Sequence, residues 1–311
     1  MGSRRATVAA ITLWLASSGL ATAAPERAIW IWEQASYAMV QEPASSAAAM
    51  AFLRTKHIRT LYLYADAYNG ENLLEARPEL YRRFIASLHS HGMRAYALLG
   101  SAYLHTEAYV LPEHRAEALA MFRRVLDYNA AARSRERFDG VNLDIEPHIL
   151  DQWPARKLEL LRQYLELGVA LMDLKQASGQ PLAVGPAIPF WLDGIDLDWR
   201  GSTRPAGEHV LGIYDYAAVM DYRDHALGPD GIVSNAADEM ASAERLHKRL
   251  VIGVDVTPGE IQKVSFDHLF EADLERELAL AARALEGSPA FGGFAIHHFT
   301  AYQQWLARQK P

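Results

Sequence analysis

The chain has 311 residues, of which 50% are hydrophobic and 22% charged, a composition typical of a soluble globular protein. Its formal net charge of −7 argues against binding to nucleic acid, because that function needs clustered lysine and arginine side chains. The absence of cysteine excludes disulfide bonds, thiolate metal sites, a cysteine nucleophile and a lipoprotein anchor.

The N-terminal 23 residues have the features of an export signal. Arg4 and Arg5 form a basic segment, and the apolar run 8–20 has the length of a signal-peptide core. Ala21-Thr22-Ala23 offers a small-residue cleavage site. An uncleaved anchor helix is the alternative, but the run is short for a membrane span. We predict cleavage, no later membrane span, and export of residues 24–311 to a bacterial periplasm or the cell exterior.

Beyond this segment, short apolar stretches alternate with helical ones. The predicted strands are residues 28–32, 60–65, 94–99, 140–146, 182–188, 217–222, 250–256 and 293–298. The predicted helices are residues 43–56, 78–91, 112–133, 154–178, 235–248, 266–285 and 301–308, with a long loop before Tyr216. Eight strands alternating with helices predict a parallel sheet closed into a single (β/α)8 TIM barrel. A doubly wound open sheet would usually begin with a glycine-rich turn, and none follows the first strand.

The fourth predicted strand carries polar side chains on one face. Successive side chains of a strand point to opposite faces, so Val141, Leu143 and Ile145 alternate with Asn142, Asp144 and Glu146. Unpaired burial of charge is costly, so an ordinary core strand does not carry such a face. The polar groups run to the C-terminal end of the strand, where TIM-barrel enzymes place their catalytic residues.

Asp144 and Glu146 form a candidate acid–base pair. Their Cα atoms lie roughly 6–7 Å apart on a strand. Two carboxylates this close cannot both ionise freely, so one pKa is raised, as a general acid near neutral pH requires. The alternative is an ion pair with a lysine or arginine of a neighbouring strand, and few basic side chains are placed to form it.

Residues 139–146, Asp-Gly-Val-Asn-Leu-Asp-Ile-Glu, resemble the Asp-x-x-Asp-x-Asp-x-Glu signature of the chitinase-like family 18 glycoside hydrolases. Met220-Asp221-Tyr222 resembles the Met-x-Tyr of that family's sixth strand and falls on the sixth predicted strand. Both motifs therefore occur in the expected order along the barrel. Three features depart from the pattern: Asn142 replaces an Asp, Arg223 stands where an Asp is usual, and the eighth strand ends Ala295-Ile296-His297-His298-Phe299 where the family typically has a Trp.

The resemblance implies retaining, substrate-assisted hydrolysis of a β-linked glycan that contains amino sugar, with peptidoglycan and chitin-type glycans as leading substrates. Glu146 would protonate the glycosidic oxygen and then activate water. Asp144 would orient the N-acetyl group that attacks the anomeric carbon, and Tyr222 would hydrogen-bond its oxygen. We expect a monomer that needs no cofactor and no metal. His297 and His298 are adjacent on a strand and point to opposite faces, so they cannot chelate one ion together.

Two other functions stay open at this point. Glu146 also resembles the fourth-strand acid of retaining glycosidases whose nucleophile lies on the seventh strand, where Asp255 stands. A role for Asp255 as a loop cap is the simpler interpretation. A carbohydrate-binding protein without turnover is the other alternative, favoured by Asn142 and the altered eighth strand and disfavoured by the intact Asp144 and Glu146.

Further residues follow the predicted strands at the same rim and are candidate substrate contacts. Carboxylates can bind sugar hydroxyls, and aromatic rings can stack on pyranose rings. The candidates are Asn142, Glu33, Asp66, Trp32, Trp191, Met220, Asp221, Arg223, Asp255 and His298.

Overall fold

A computed structural model describes residues 25–309, so the predicted signal peptide over residues 1–23 lies outside the described residues. The strands are β1 Arg27–Ile31, β2 Thr60–Tyr64, β3 Arg94–Leu99, β4 Gly140–Leu143, β5 Ala183–Pro189, β6 Asp196–Trp199, β7 Ser202–Pro205, β8 Tyr216–Met220, β9 Arg249–Asp255 and β10 Phe291–His297. The helices are α1 Glu33–Gln41, α2 Pro43–Thr55, α3 Leu73–Ala76, α4 Pro78–Ser90, α5 Arg115–Ala131, α6 Trp153–Ser178, α7 Ala206–Ile213, α8 Ile232–Asn235, α9 Ala237–Arg245, α10 Glu271–Leu285 and α11 Phe299–Arg308.

Eight strands close into a barrel in the order β1-β10-β9-β8-β5-β4-β3-β2, and every neighbouring pair is parallel. The predicted (β/α)8 fold is thus confirmed. Because β6 and β7 stand outside the barrel, its sixth, seventh and eighth strands are β8, β9 and β10. Parallel strands end on the same side of a barrel, so the loops after these eight strands converge on one rim.

The strand faces divide the core into two layers. Val141, Leu143 and Ile145 are buried in the large cluster that contains the helix-facing side chains. A smaller cluster fills the barrel interior, with Ala28, Trp30, Tyr62, Leu98, Ala187, Tyr216, Ala218 and Ala295. Along each strand, every second residue therefore points to the barrel axis. This alternation decides which rim residues reach the axis and which reach the helices.

Two segments differ from the sequence prediction. The stretch before Tyr216, predicted as a loop, contains the antiparallel hairpin β6–β7 and helix α7. The hairpin turns at Arg200 and Gly201, with φ of 51° and 76°, the backbone of a two-residue turn that is usually signalled by asparagine or aspartate with glycine. The fourth strand was predicted to reach Glu146 but ends at Leu143, and a short 3-10 turn begins at Pro147.

The tapering barrel interior leaves no room for a side chain at Gly140. An added Cβ would overlap the Tyr96 ring and the Ala183 carbonyl oxygen. We expect Gly140→Ala to lower the free energy of unfolding by about 3 kcal/mol or more, because overpacking a closed barrel forces backbone shifts. Urea unfolding measures this change. Gly194→Ala is the control, since nothing lies within 4 Å of its added Cβ; equal losses in the two variants would contradict the packing account.

Candidate active site

Asp144 and Glu146 both lie at the C-terminal rim of the barrel and are partly exposed. No lysine or arginine among residues 25–309 forms a salt bridge with either carboxylate, so the ion-pair alternative is wrong for the described chain. The nearest basic group is His148, whose Nε2 atom lies 3.6 Å from Glu146 Oε1. Burial lowers the pKa of His148, so the imidazole is neutral at neutral pH and provides no counter-charge.

The two carboxyl groups shift each other's titration. Burial raises the pKa of Asp144 well above its usual value, and the nearby Glu146 and Glu33 carboxylates raise it further. Burial also raises the pKa of Glu146; His297 opposes this shift, whereas Glu107 adds to it. The pair therefore retains a proton at a higher pH than an exposed carboxylate would. Glu107 was not identified from the sequence, because its loop after β3 carries no strand or helix signal.

Neighbouring segments fix the backbone and side chains of this pair. The Asp144 N–H donates to the Leu99 carbonyl at 2.7 Å. Gly100 has a φ of 102°, and an added Cβ would overlap the Asp144 carbonyl group, so only glycine fits here. Glu33, which begins α1, accepts a hydrogen bond from the buried Ser101 hydroxyl. This contact holds a third carboxylate beside Asp144.

Asn142 lies one step deeper in the barrel and is fully buried. Its Oδ1 atom accepts a hydrogen bond from the Trp30 indole at 2.9 Å, and its Nδ2 atom donates to the Tyr216 hydroxyl at 3.3 Å. The amide is therefore occupied by protein partners. This position suits a neutral support beneath Asp144 better than the substrate contact predicted from the sequence.

Tyr222 completes the group around the carboxylates. It follows β8, where Met220 faces the barrel interior and Asp221 faces the helices. Burial raises the pKa of the Tyr222 phenol well above its usual value, and the Asp255, Asp144 and Glu146 carboxylates add to the shift. The phenol thus remains a hydrogen-bond donor over the whole neutral range.

The sequence analysis named His298 as a substrate contact at the end of β10, and the structure brings the adjacent His297 into the group around the carboxylates. His297 reaches the barrel axis, where its ring stacks on Tyr222 with 5.5 Å between ring centroids. The His298 ring lies beside that of His297, with 5.0 Å between ring centroids, and its buried Nδ1 atom has no hydrogen-bond partner among the described residues. Burial and the neighbouring His297 lower the pKa of His298 to about 4. The alternation of β10 could have indicated the inward position of His297, since Ala295 faces the interior cluster and Ile296 does not.

Asp255 at the end of β9 is held in a hydrogen-bonded group rather than standing free. Its Oδ1 atom accepts hydrogen bonds from the Thr257 backbone N–H at 3.0 Å, the Thr257 hydroxyl at 2.5 Å and His297 Nδ1 at 3.1 Å. Its side chain is 13% exposed. These contacts combine the loop cap that the sequence suggested with a histidine partner that it did not.

Three further residues predicted to contact substrate are engaged elsewhere. The Asp66 side chain is 2% exposed and pairs with Arg124 of α5 at 2.6 Å. Arg223 pairs with Asp230 at 2.6 Å and lies over the Phe190 ring. These two ion pairs stabilise the fold. The sequence analysis missed Arg124 because it lies far from Asp66 along the chain, and it missed Asp230 because it lies in a loop.

Asp221, the third such residue, points into the helix layer. It is fully buried, and its Oδ1 atom accepts a hydrogen bond from Asn235 Nδ2 at 3.1 Å. Burial raises its pKa to about 7. Because strand residues alternate, Asp221 cannot share the axis with its neighbours Met220 and Tyr222.

Two tryptophans remain at the rim. Trp32 is partly exposed, and its indole N–H donates to His297 Nε2 at 3.3 Å. Trp191 lies in a 3-10 turn after β5, with its ring 5.2 Å from that of His148 and 6.0 Å from that of Trp153. Trp32 is therefore part of the group around the carboxylates, and Trp191 belongs to an aromatic cluster beside Glu146.

The opposite end of the barrel holds a cavity of about 230 Å³. Its lining includes Glu26 and Arg94, which pair with each other, so its charge is neutralised internally. We place the candidate site at the other rim, where the carboxylates lack such partners. Residues 25–309 contain no cluster of three or more histidine, aspartate or glutamate side chains placed to hold a metal ion. None of the helices in this range is long and apolar enough to cross a membrane.

Comparisons with known proteins give a match at the level of the fold. Neither protein-family models nor curated protein sequences match the chain. Among solved structures, a GH18 chitinase from Cycas revoluta in complex with (GlcNAc)3 is 14% identical, covers 91% of this chain and 98% of its own, and gives a TM-score of 0.51. The chain has the fold of these chitinases.

Two other solved structures agree with this match. Catalytic domain 2 of the Ostrinia furnacalis Group II chitinase is 10% identical, covers 92% of this chain and 97% of its own, and has a TM-score of 0.51. A class V chitinase from Nicotiana tobaccum is 12% identical, with coverages of 91% and 97% and a TM-score of 0.50. The fold implied by the family resemblance is thereby confirmed.

One buried acid outside the site gives a direct test of the electrostatics. Glu239 on α9 is 1% exposed, and neither of its carboxylate oxygens has a hydrogen-bond partner among the described residues. Burial raises its pKa to about 9, and the Asp193 and Asp221 carboxylates add to the shift. An unfolded glutamate titrates near pH 4.3, roughly. The folded chain therefore holds a proton that the unfolded chain releases, and stability falls as the pH rises through this window.

We expect Glu239→Gln to raise the free energy of unfolding at about pH 8 by about 2 kcal/mol, because the amide needs no proton to stay neutral. The pH dependence between about pH 5 and about pH 9 should flatten. Urea unfolding at several pH values measures both effects. Glu244→Gln, on the exposed face of α9, is the control. An unchanged slope in Glu239→Gln would show that Glu239 is already ionised when folded.

Proposed function

We propose that the protein is a glycosidase that cleaves a β-linked glycan containing N-acetylated amino sugar, with retention and with the substrate's acetamide as nucleophile. One observation carries the proposal: Asp144 and Glu146 share a partly buried rim without a cationic partner, and both have raised pKa values. The fold shared with chitinases and the two sequence motifs support the same chemistry.

The first step needs a proton donor and an internal nucleophile. Glu146 gives its proton to the glycosidic oxygen while the bond from that oxygen to the anomeric carbon breaks. The acetamide oxygen forms a bond to the same carbon, which leaves a positive charge on the resulting ring. Asp144 lies beside this charge and stabilises it, and the Tyr222 phenol donates a hydrogen bond to the acetamide oxygen.

The second step reverses the proton transfer. Glu146, now ionised, takes a proton from the incoming water as the water oxygen bonds to the anomeric carbon. The bond between that carbon and the acetamide oxygen breaks, and the sugar is released with its original configuration. Glu146 therefore has to be protonated in the first step and ionised in the second, as a carboxyl with a raised pKa can be near neutral pH.

The substrate class follows from the nucleophile. Because the acetamide attacks, the sugar on the non-reducing side of the cleaved bond must carry it. Chitin-type oligosaccharides and peptidoglycan both do so, and Trp32 and Trp191 offer aromatic surface to such sugars at the rim. Export through the signal-like segment at residues 1–23 would bring the enzyme to these polymers.

A protein nucleophile is the second candidate mechanism, and the contacts of Asp255 disfavour it. Its Oδ1 atom already accepts three hydrogen bonds, which stabilise the carboxylate and reduce its nucleophilicity. A binding protein without turnover is the third candidate. The raised pKa of Glu146 favours a catalytic role instead, since such shifts cluster at functional sites.

We expect Glu146→Gln to lower kcat on N-acetylated chito-oligosaccharides by about 10²–10⁴-fold while oligosaccharide binding is retained, because the amide cannot donate the proton. Reducing-end release and calorimetric binding measure the two quantities, with the exposed Glu113→Gln as the control. Cleavage of a non-acetylated β-glucan would favour Asp255 as nucleophile. Binding without any cleavage by the wild type would identify a binding protein.

The pH profile gives a separate test. The Glu107 carboxylate raises the pKa of Glu146, so Glu107→Gln should lower it and move the alkaline limb of kcat/KM to lower pH by a few tenths of a unit. The acid must be protonated to act, so activity falls as the pH rises through this pKa. Glu113→Gln should leave the limb in place. A limb that moves upward in Glu107→Gln would contradict the assignment of Glu146.

A further inference from the structure

The imidazole of His297 contacts residues at the ends of three other barrel strands. Its Nδ1 atom donates to Asp255 Oδ1 at 3.1 Å, and its Nε2 atom accepts the Trp32 indole N–H at 3.3 Å. Its ring stacks on Tyr222, with an interplanar angle of 28°. The side chain is 24% exposed, so a ligand at the rim can reach it.

These contacts select one form of the ring. A carboxylate only accepts hydrogen bonds and an indole N–H only donates them. Asp255 therefore requires a proton on Nδ1, and Trp32 requires a free lone pair on Nε2. The two neighbours together specify the neutral Nδ1–H tautomer. The Thr257 backbone and hydroxyl hold Asp255 in turn, so the ring has little freedom to rotate.

The same contacts place two aromatic side chains. The Trp32 ring lies edge-on to the imidazole, with centroids 6.2 Å apart and an interplanar angle of 76°. The Tyr222 ring lies nearly parallel to it on another side, at 5.5 Å. One imidazole thus sets the orientation of a candidate sugar-stacking ring and of the phenol proposed to bind the acetamide.

We propose that neutral His297, fixed by Asp255, is a positioning residue that holds Trp32 and Tyr222 in the orientation needed to bind the reacting sugar. The inference rests on the proposed glycosidase function for its substrate, but its structural content is independent of turnover. It also gives Asp255 a role that differs from that of a nucleophile.

Protonation of His297 would undo this arrangement. The new Nε2–H would face the Trp32 N–H, and two donors in contact repel each other, so Trp32 would be released. The titratable groups around the ring are Asp255 at the end of β9, Tyr222 after β8, Glu146 after β4 and the adjacent His298. A charged His297 would also lower the pKa of Glu146.

Nuclear magnetic resonance tests the contact without any substrate. We expect the indole N–H resonance of Trp32, assigned with Trp32→Phe, to move in His297→Phe, which removes the hydrogen-bond acceptor. In His297→Gln the side-chain amide can still accept the indole N–H, so the resonance should stay close to its wild-type position. A resonance that is unchanged in His297→Phe, or that moves equally in the two variants, would overturn the proposal.

Kinetics on an N-acetylated chito-oligosaccharide test the consequence. His297→Gln should keep KM within about threefold of the wild type at about pH 7.5, because the amide still accepts the Trp32 N–H. His297→Phe keeps a ring beside Tyr222 but loses the acceptor, and should raise KM about tenfold at the same pH. His91→Gln, an exposed position at the end of α4, is the control.

The outcomes separate the two proposals. If the wild type cleaves no glycan but the Trp32 resonance follows His297, the positioning role stands and the glycosidase function fails. If cleavage depends on Glu146 but His297→Phe leaves the KM of the wild type unchanged, the glycosidase function stands and the positioning role is wrong.

Discussion

The desolvation and mutual repulsion of Asp144 and Glu146 are the constraint on which the rest of the rim depends. Two carboxyl groups held this close without a cation are unfavourable, and the fold tolerates them because the same strand buries Val141, Leu143 and Ile145 against the helices. The close approach of Gly100 then fixes the backbone of Asp144. Because the charged forms are unfavourable, the pKa values of Asp144 and Glu146 are raised, and a raised pKa is the property that an acid catalyst needs.

Outside this group, two of the buried charges near the rim have an ion-pair partner. Asp66 pairs with Arg124, and Arg223 with Asp230. The rim therefore carries two kinds of charged side chain: those held in ion pairs, and the carboxylates without a cationic partner that are proposed to act in catalysis. His297 combines both features. It is hydrogen-bonded to Asp255, as a structural residue would be, and it also contacts Trp32 and Tyr222 at the proposed active site.

Much of this arrangement could be predicted from local pattern. The eight barrel strands, the polar face of β4 and the inward Tyr222 all follow from alternation along a strand and from two motifs. The predictions that failed concerned contacts between residues far apart in the chain, or the direction in which a strand residue points. Arg124 lies 58 residues from Asp66, so their pairing left no local signal. Asp221 was assigned to the site although its strand neighbour Tyr222 points to the axis. The hairpin β6–β7 turns at Arg200, an unusual residue for a positive φ.

The most direct test of the substrate-assisted mechanism is the configuration of the newly formed product. Proton magnetic resonance can record the anomeric signal of the reducing end released from an N-acetylated chito-oligosaccharide before the two anomers equilibrate. The mechanism predicts the β-anomer as the first product, and no product from the same oligosaccharide after removal of its acetyl groups. The α-anomer as first product, or equal cleavage of the deacetylated oligosaccharide, would contradict it.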